Sequence, residues 1–143
     1  MKRVLIPEKE VVKFVETYFA NSDNVCVWRR NVGKAVYESR GKRRFVAFSR
    51  PGQSDIEGII KRMYCPRCGR IVSSGVHLEI ECKRADGVLP SDQKKYLSTI
   101  RKMGGQAIVA RPQPSEGDPI GFNAIRDALE NIDTSLCVQC ARR

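Results

Sequence analysis

The sequence predicts an α/β domain with a mixed central sheet flanked by helices, and three observations carry that prediction. Hydrophobic periodicity is helical near both ends of the chain and strand-like between them. The resulting order is helix, several strands, helix, strand, helix, which suits helices packed on a sheet. The 143 residues are enough for one domain with a real core. With 41% apolar and 29% charged residues, the composition is that of an ordinary globular chain.

The first helix is expected from Pro7 to Ala20, with proline in the opening turn and Asn21-Ser22-Asp23-Asn24 as the stop. Val11, Val15 and Tyr18 line its inward face, and Phe14 and Phe19 widen it. Short strands follow at Val25–Trp28, Ala35–Ser39, Arg44–Ser49 and Asp55–Lys61, the last after the turn Arg50-Pro51-Gly52-Gln53-Ser54. A strand at Val76–Arg84 precedes a helix from Asp92 to Met103, capped by Ser91 and ended by Gly104-Gly105. Ala107–Arg111 reads as a compact strand and residues 112–117 as a loop. Asp118-Pro119 then opens a helix running to Ile132, with Ile125, Leu129 and Ile132 as its core stripe.

Lys and Arg number 26 against 16 Asp and Glu, for a formal charge of +10. From Trp28 to Arg50 eight basic residues face one acid, Glu38, with Trp28, Tyr37, Phe45 and Phe48 among them. A stretch of that kind suits the phosphates of a nucleic acid, and it also suits a solvated face with aromatic anchors. Arg29, Arg30 and Lys34 are the candidates for contact with a DNA backbone. No apolar run reaches the roughly 18–20 residues of a membrane span. The N-terminal apolar run ends after three residues, too few for a secretory signal. The expected setting is intracellular, without membrane contact.

In such a reducing setting the six cysteines are not expected to form disulfides. Four of them fall in two C-x-x-C pairs, Cys65/Cys68 and Cys137/Cys140, which together make the complete shell of a closed structural zinc site. Gly69 after the first pair fits a tight metal knuckle. The 68 residues between the pairs leave redox dithiols or unrelated thiols as competing readings. A shared zinc would join an insertion at about residues 62–75 to the C-terminal segment 133–143. Cys26 and Cys82, in alternating strands, are expected in the core.

Residues 76–83, V-H-L-E-I-E-C-K, set Val76, Leu78, Ile80 and Cys82 on one strand face and His77, Glu79, Glu81 and Lys83 on the other. Asp55, opening an earlier strand, could converge with Glu81 on a hard divalent cation. Lys83 could then orient a water or offset charge on a phosphate. Taken alone, E-x-K is a weak pattern, because many exposed strands carry it by chance.

The surrounding motifs are more specific. W-R-R-N-V-G (28–33), P-G-Q-S-D-I-E-G-I (51–59), E-I-E-C-K-R (79–84), G-V-L-P-S-D-Q (87–93) and G-G-Q-A-I-V-A-R (104–111) occur in one order. In this the chain resembles the VRR-NUC family, the virus-type stand-alone nucleases of the PD-(D/E)XK superfamily, over about residues 8–111. The resemblance implies a restriction-endonuclease-like core, Mg²⁺ or Mn²⁺ as cofactor, and DNA as substrate, in some members branched DNA cut by a dimer. It implies Asp55 and Glu81 as metal carboxylates, Lys83 as the catalytic lysine and Gln93 as a residue near the metal or scissile phosphate. It also implies an acid in the first helix. Glu8 is preferred because it shares the face of Val11 and Val15, and Glu10 is the alternative.

His77 reads as a satisfied strand histidine rather than a ligand. The two cysteine pairs are a departure from the family. The expectation is thus a Mg²⁺-dependent endodeoxyribonuclease in a single domain, 1–143, with structural zinc. A non-catalytic, zinc-stabilised nucleic-acid-binding protein is the alternative from another class, and an RNA-directed nuclease a third.

Overall fold

The proline at position 7, held at φ −64° and ψ 151°, cannot itself continue a helix backwards, and α1 (Glu8–Phe19) starts immediately after it. Glu8 and Glu10 sit in the first turn, where the helix dipole favours acids. Val11, Val12, Val15 and Phe19 are buried along one stripe. The computed structural model describes residues 4–30, 34–47, 50–65 and 67–133.

Two sheets follow. The larger has four strands in the order β1 (Val25–Arg29), β4 (Ile56–Tyr64), β5 (Ile71–Cys82), β6 (Gln106–Ala110). The first three are antiparallel neighbours, and β5 and β6 are parallel. A parallel pair needs a crossover, and α2 (Ser91–Lys102) supplies it. The smaller sheet is the hairpin of β2 (Lys34–Ser39) and β3 (Lys42–Ala47). Its two-residue turn, Arg40-Gly41, has positive φ at both positions (51° and 72°), matching the twist of paired strands. α3 (Phe122–Asp133) ends the described chain.

The apolar face of the large sheet presents Val25, Ile56, Ile60, Leu78, Ile80 and Cys82, and α1 and α3 cover it with Val11, Val15, Ile125, Leu129 and Ile132. Phe14 of α1 stacks on Phe122 of α3, ring centroids 4.5 Å apart. α2 lies on the opposite face, since its Tyr96 bonds to Glu79, which alternates with Leu78 and Ile80. Among the described residues no helix is long and apolar enough to cross a membrane.

Several sequence expectations shift. Cys26 is exposed, because Val25 takes the inward position of β1, whereas Cys82 is fully buried. Ser91 lies inside α2 and makes no capping bond; Pro90 is the residue before the helix. Asp118 acts from further upstream than a helix cap. Its carboxylate accepts the N–H groups of Gly121 (2.9 Å) and Asn123 (2.7 Å), and α3 begins only at Phe122. Those backbone bonds, led by the one from Asn123, hold the Asp118 carboxyl below its ordinary value. β5 begins at Ile71 rather than Val76, and β4 runs on to Tyr64, so much of the segment expected as a zinc insertion is an extended hairpin.

Candidate active site

The register of β4 against β5 decides which acids meet. Ile56 pairs with Ile80 and Glu57 with Glu79, and Asp55, one residue beyond that ladder, lies close enough to Glu81 for its charge to act there. Asp55 Oδ2 accepts the Cys82 N–H at 3.0 Å, which pins its carboxylate against the end of β5. Beside it, Ser54 is fully buried and its hydroxyl has no partner.

Glu81 and Lys83 are only 1% and 8% exposed. Lys83 Nζ lies 2.8 Å from Glu81 Oε1. Glu81 Oε2 is buried and has no hydrogen-bond partner among the described residues. A buried carboxylate oxygen without a donor is costly, and such groups are rare unless a ligand, ion or water completes them. Burial pushes the Glu81 carboxyl up to about 7, against the pull of Lys83; the charges of Asp55 and Glu8 add to the rise. For Lys83, burial disfavours the ammonium, but the bond to Glu81 outweighs it and keeps the amine above its ordinary value. The pair is therefore a protonated lysine beside a carboxylate that ionises reluctantly.

Glu8, half-buried at the start of α1, lies close enough for its charge to act on Glu81, Cys82 and Lys83. Glu10 is exposed. Gln93 sits in the first turn of α2 with its Oε1 buried and unpartnered. Gly52 explains how that turn meets the Asp55 loop. It has φ +83°, and a Cβ there would stand 2.5 Å from the Asp92 carbonyl oxygen and 3.0 Å from the Gln93 nitrogen. The two segments pack backbone to backbone, and only glycine fits between them.

A second polar cluster lies further along the same face. Arg30 grips Glu79 with two bonds of 2.9 Å and also pairs with Glu57. Tyr96 O–H donates to Glu79 Oε1 at 2.7 Å, and His77 Nε2 stands 2.8 Å from the same oxygen. Burial works against the Arg30 charge, but the bonds to Glu79 and Glu57 more than offset it and raise the guanidinium above its ordinary value. Glu57, His77 and Glu79 offer ligand atoms within 4.8 Å of one another, a spacing that could hold a metal. Arg30 already supplies the positive charge there, so an ion would have to displace it.

Of the residues expected at a DNA backbone, Arg30 has its guanidinium bonded to Glu79 and Glu57. Arg29 is exposed and pairs with Glu16 at 2.7 Å, while Lys34 opens β2 with its side chain outside the described residues. Cys65, buried, and Cys68, exposed, lie in the turn between β4 and β5, where the Gly69 N–H donates to the Cys65 carbonyl at 2.8 Å. Cys137 and Cys140 lie outside the described residues. Sequence reasoning missed Ser54 and Tyr96. Ser54 stands next to Asp55 in a stretch that reads as a turn, and Tyr96 can be matched to Glu79 only once α2 is known to cross that face.

No family model matches the chain, and no curated protein or solved structure matches it either.

Proposed function

We propose that this chain is a divalent-metal-dependent endodeoxyribonuclease of the PD-(D/E)XK type, hydrolysing DNA phosphodiester bonds. The observation that carries the reading is Glu81 Oε2, unpartnered among the described residues, on a carboxylate that feels the charge of Asp55 and is held at its other oxygen by Lys83. The donor set fits a hard cation such as Mg²⁺ or Mn²⁺, with Asp55 and Glu81 as ligands and Glu8 and the Cys82 carbonyl as further oxygens. Such a cation supplies Lewis-acid charge beside the scissile phosphate and lowers the pKa of water there.

The chain's own groups do the rest. The Lys83 ammonium stands where negative charge develops on the phosphate oxygens and stabilises it without reorganising. The free Gln93 Oε1 offers an acceptor that can orient water near the same point. Burial of Glu81 and Lys83 strengthens both effects by excluding bulk water.

Structural zinc held by Cys65, Cys68, Cys137 and Cys140 belongs to the same proposal, as does a homodimer where both strands of a junction are cut symmetrically, because one site cuts one strand. The test is incubation of purified protein with branched, linear and single-stranded DNA, and with RNA, in Mg²⁺ or EDTA. Cleavage in Mg²⁺ that disappears in Asp55→Ala and Lys83→Ala supports the enzyme. Binding of DNA with no cleavage in Mg²⁺ or Mn²⁺ favours a non-catalytic nucleic-acid-binding protein instead.

A further inference from the structure

The parallel register of β5 and β6 places one more cation on the catalytic face. Glu81 pairs with Val109 and Cys82 with Ala110, and the ladder continues as the Lys83 N–H donates to the Ala110 carbonyl at 3.0 Å. The next step sets Arg111 beside Lys83, two residues beyond Val109 and therefore on its face. Arg111 is half-buried and its Nε is buried without a partner among the described residues. It lines a cleft of about 550 Å³ with Lys94 of α2, Val109 and the Gly87–Leu89 loop. That volume is within the range of small-molecule sites. The cleft adjoins the catalytic lysine: a Cβ on Gly87 would lie 3.4 Å from Lys83 Cβ.

Among the described residues the two positive side chains in this cleft, Lys94 and Arg111, form no ion pair. Burying a guanidinium N–H without a partner is unfavourable, so a chain that does so gains where a ligand supplies an acceptor there. The position also suits ligand binding, being the carboxyl end of two parallel strands beside the start of a crossover helix.

We infer that this cleft is an anion subsite that takes a backbone phosphate of the nucleic acid neighbouring the one cleaved, with Arg111 as its principal contact and Lys94 as the second. The inference rests on the nuclease reading for its neighbour, but its own evidence is separate. Arg111's planar fork matches two phosphate oxygens, and Lys94 adds a point charge. Holding the adjacent phosphate fixes the scissile one against Glu81 and Lys83 and sets which side of it the chain continues.

The test uses the full chain with Arg111→Gln, Arg111→Lys and Lys94→Gln, the last on an exposed helix position that leaves folding intact. Affinity for a fluorescent 20-nucleotide duplex is measured in EDTA across a salt series, and cleavage in Mg²⁺. Each lost phosphate contact lowers the slope of log affinity against log salt by roughly 0.9. The expected result is that slope change in Arg111→Gln and Lys94→Gln, a roughly 3- to 10-fold weaker affinity at low salt, and partial recovery in Arg111→Lys. Wild-type slopes and wild-type cleavage in both neutral variants overturn the subsite and leave the nuclease standing. The slope change in a protein that cleaves nothing in Mg²⁺ supports the subsite and overturns the nuclease. A wild-type chain that binds no nucleic acid overturns both.

Discussion

Lys83 Nζ stands 2.8 Å from one oxygen of the Glu81 carboxylate, while the other oxygen of that group is buried with no donor among the described residues. Half of the carboxylate is therefore satisfied and half has no partner among the described residues. Asp55 is fixed in place by the Cys82 N–H, close enough for its charge to act on Glu81.

This geometry has a pH signature. Glu81 must be ionised to hold a cation, and burial has raised it to about 7 from an ordinary value of 4.5. At pH 6 the proton is mostly retained, so metal affinity and cleavage are expected to fall as pH drops through 7, with about half a proton released per metal bound at pH 7 and nearly one at pH 6. Calorimetric titrations with Mg²⁺ in buffers of different ionisation enthalpy measure that proton. Affinity independent of pH from 5.5 to 8 contradicts the assignment.

The same shift bears on stability. Between pH 4.5 and about 7 the folded chain binds the Glu81 proton more readily than the unfolded chain does. The stabilising contribution is thus complete below 4.5 and is lost as pH rises through 7. Glu81→Gln removes that loss. It is expected to flatten the fall in melting temperature between pH 5 and pH 8 while abolishing cleavage; a wild-type fall over that range counts against it.

Asp55→Ala and Lys83→Met separate two roles. Asp55→Ala strips the Cys82 N–H of its acceptor and is expected to cost about 1–3 kcal/mol by denaturant titration, together with loss of cleavage. Lys83→Met fills the same space without charge and is expected to lower kcat about 10²–10³-fold, with DNA binding close to normal.

The arginines at 29 and 30 are expected to behave oppositely. Arg30→Ala leaves Glu79 buried and uncompensated, at a cost of about 3–5 kcal/mol measured by chemical denaturation. Arg29→Ala breaks an exposed pair with Glu16 and is expected to change stability by less than about 1 kcal/mol. A stable Arg30→Ala variant that binds DNA poorly would return Arg30 to the surface role its neighbourhood in the sequence suggests.

Zinc is checked by metal analysis of protein purified without added zinc. About one equivalent per chain is expected, and Cys65→Ser is expected to damage folding more than chemistry. Less than about half an equivalent in folded protein rejects a four-thiolate site.

Much of this was legible in the sequence, and the parts that were not have physical reasons. The alternation of 76–83 separated Leu78, Ile80 and Cys82 from Glu79 and Glu81 correctly, because a period of two depends on the strand alone. How deeply the charged set is buried depends on α2, whose polar sequence, with Leu97 its one buried residue, gives little hint that it covers that face. Arg30 looked like its neighbour Arg29 until β1 was paired with β4 and set against β5. Arg111 reads as the end of a short strand, and only the parallel register places it beside Lys83. Asp118 signalled a helix start correctly in kind, but its side chain closes a turn ahead of Phe122.

The most direct measurement is a Mn²⁺ titration of the zinc-loaded chain followed by electron paramagnetic resonance. One bound Mn²⁺ per chain is expected, lost in Asp55→Asn and Glu81→Gln and kept in Glu57→Gln. Mn²⁺ held as tightly by Asp55→Asn, or lost in Glu57→Gln, would place the ion in the Glu57–His77–Glu79 group and contradict the shared site at Asp55 and Glu81.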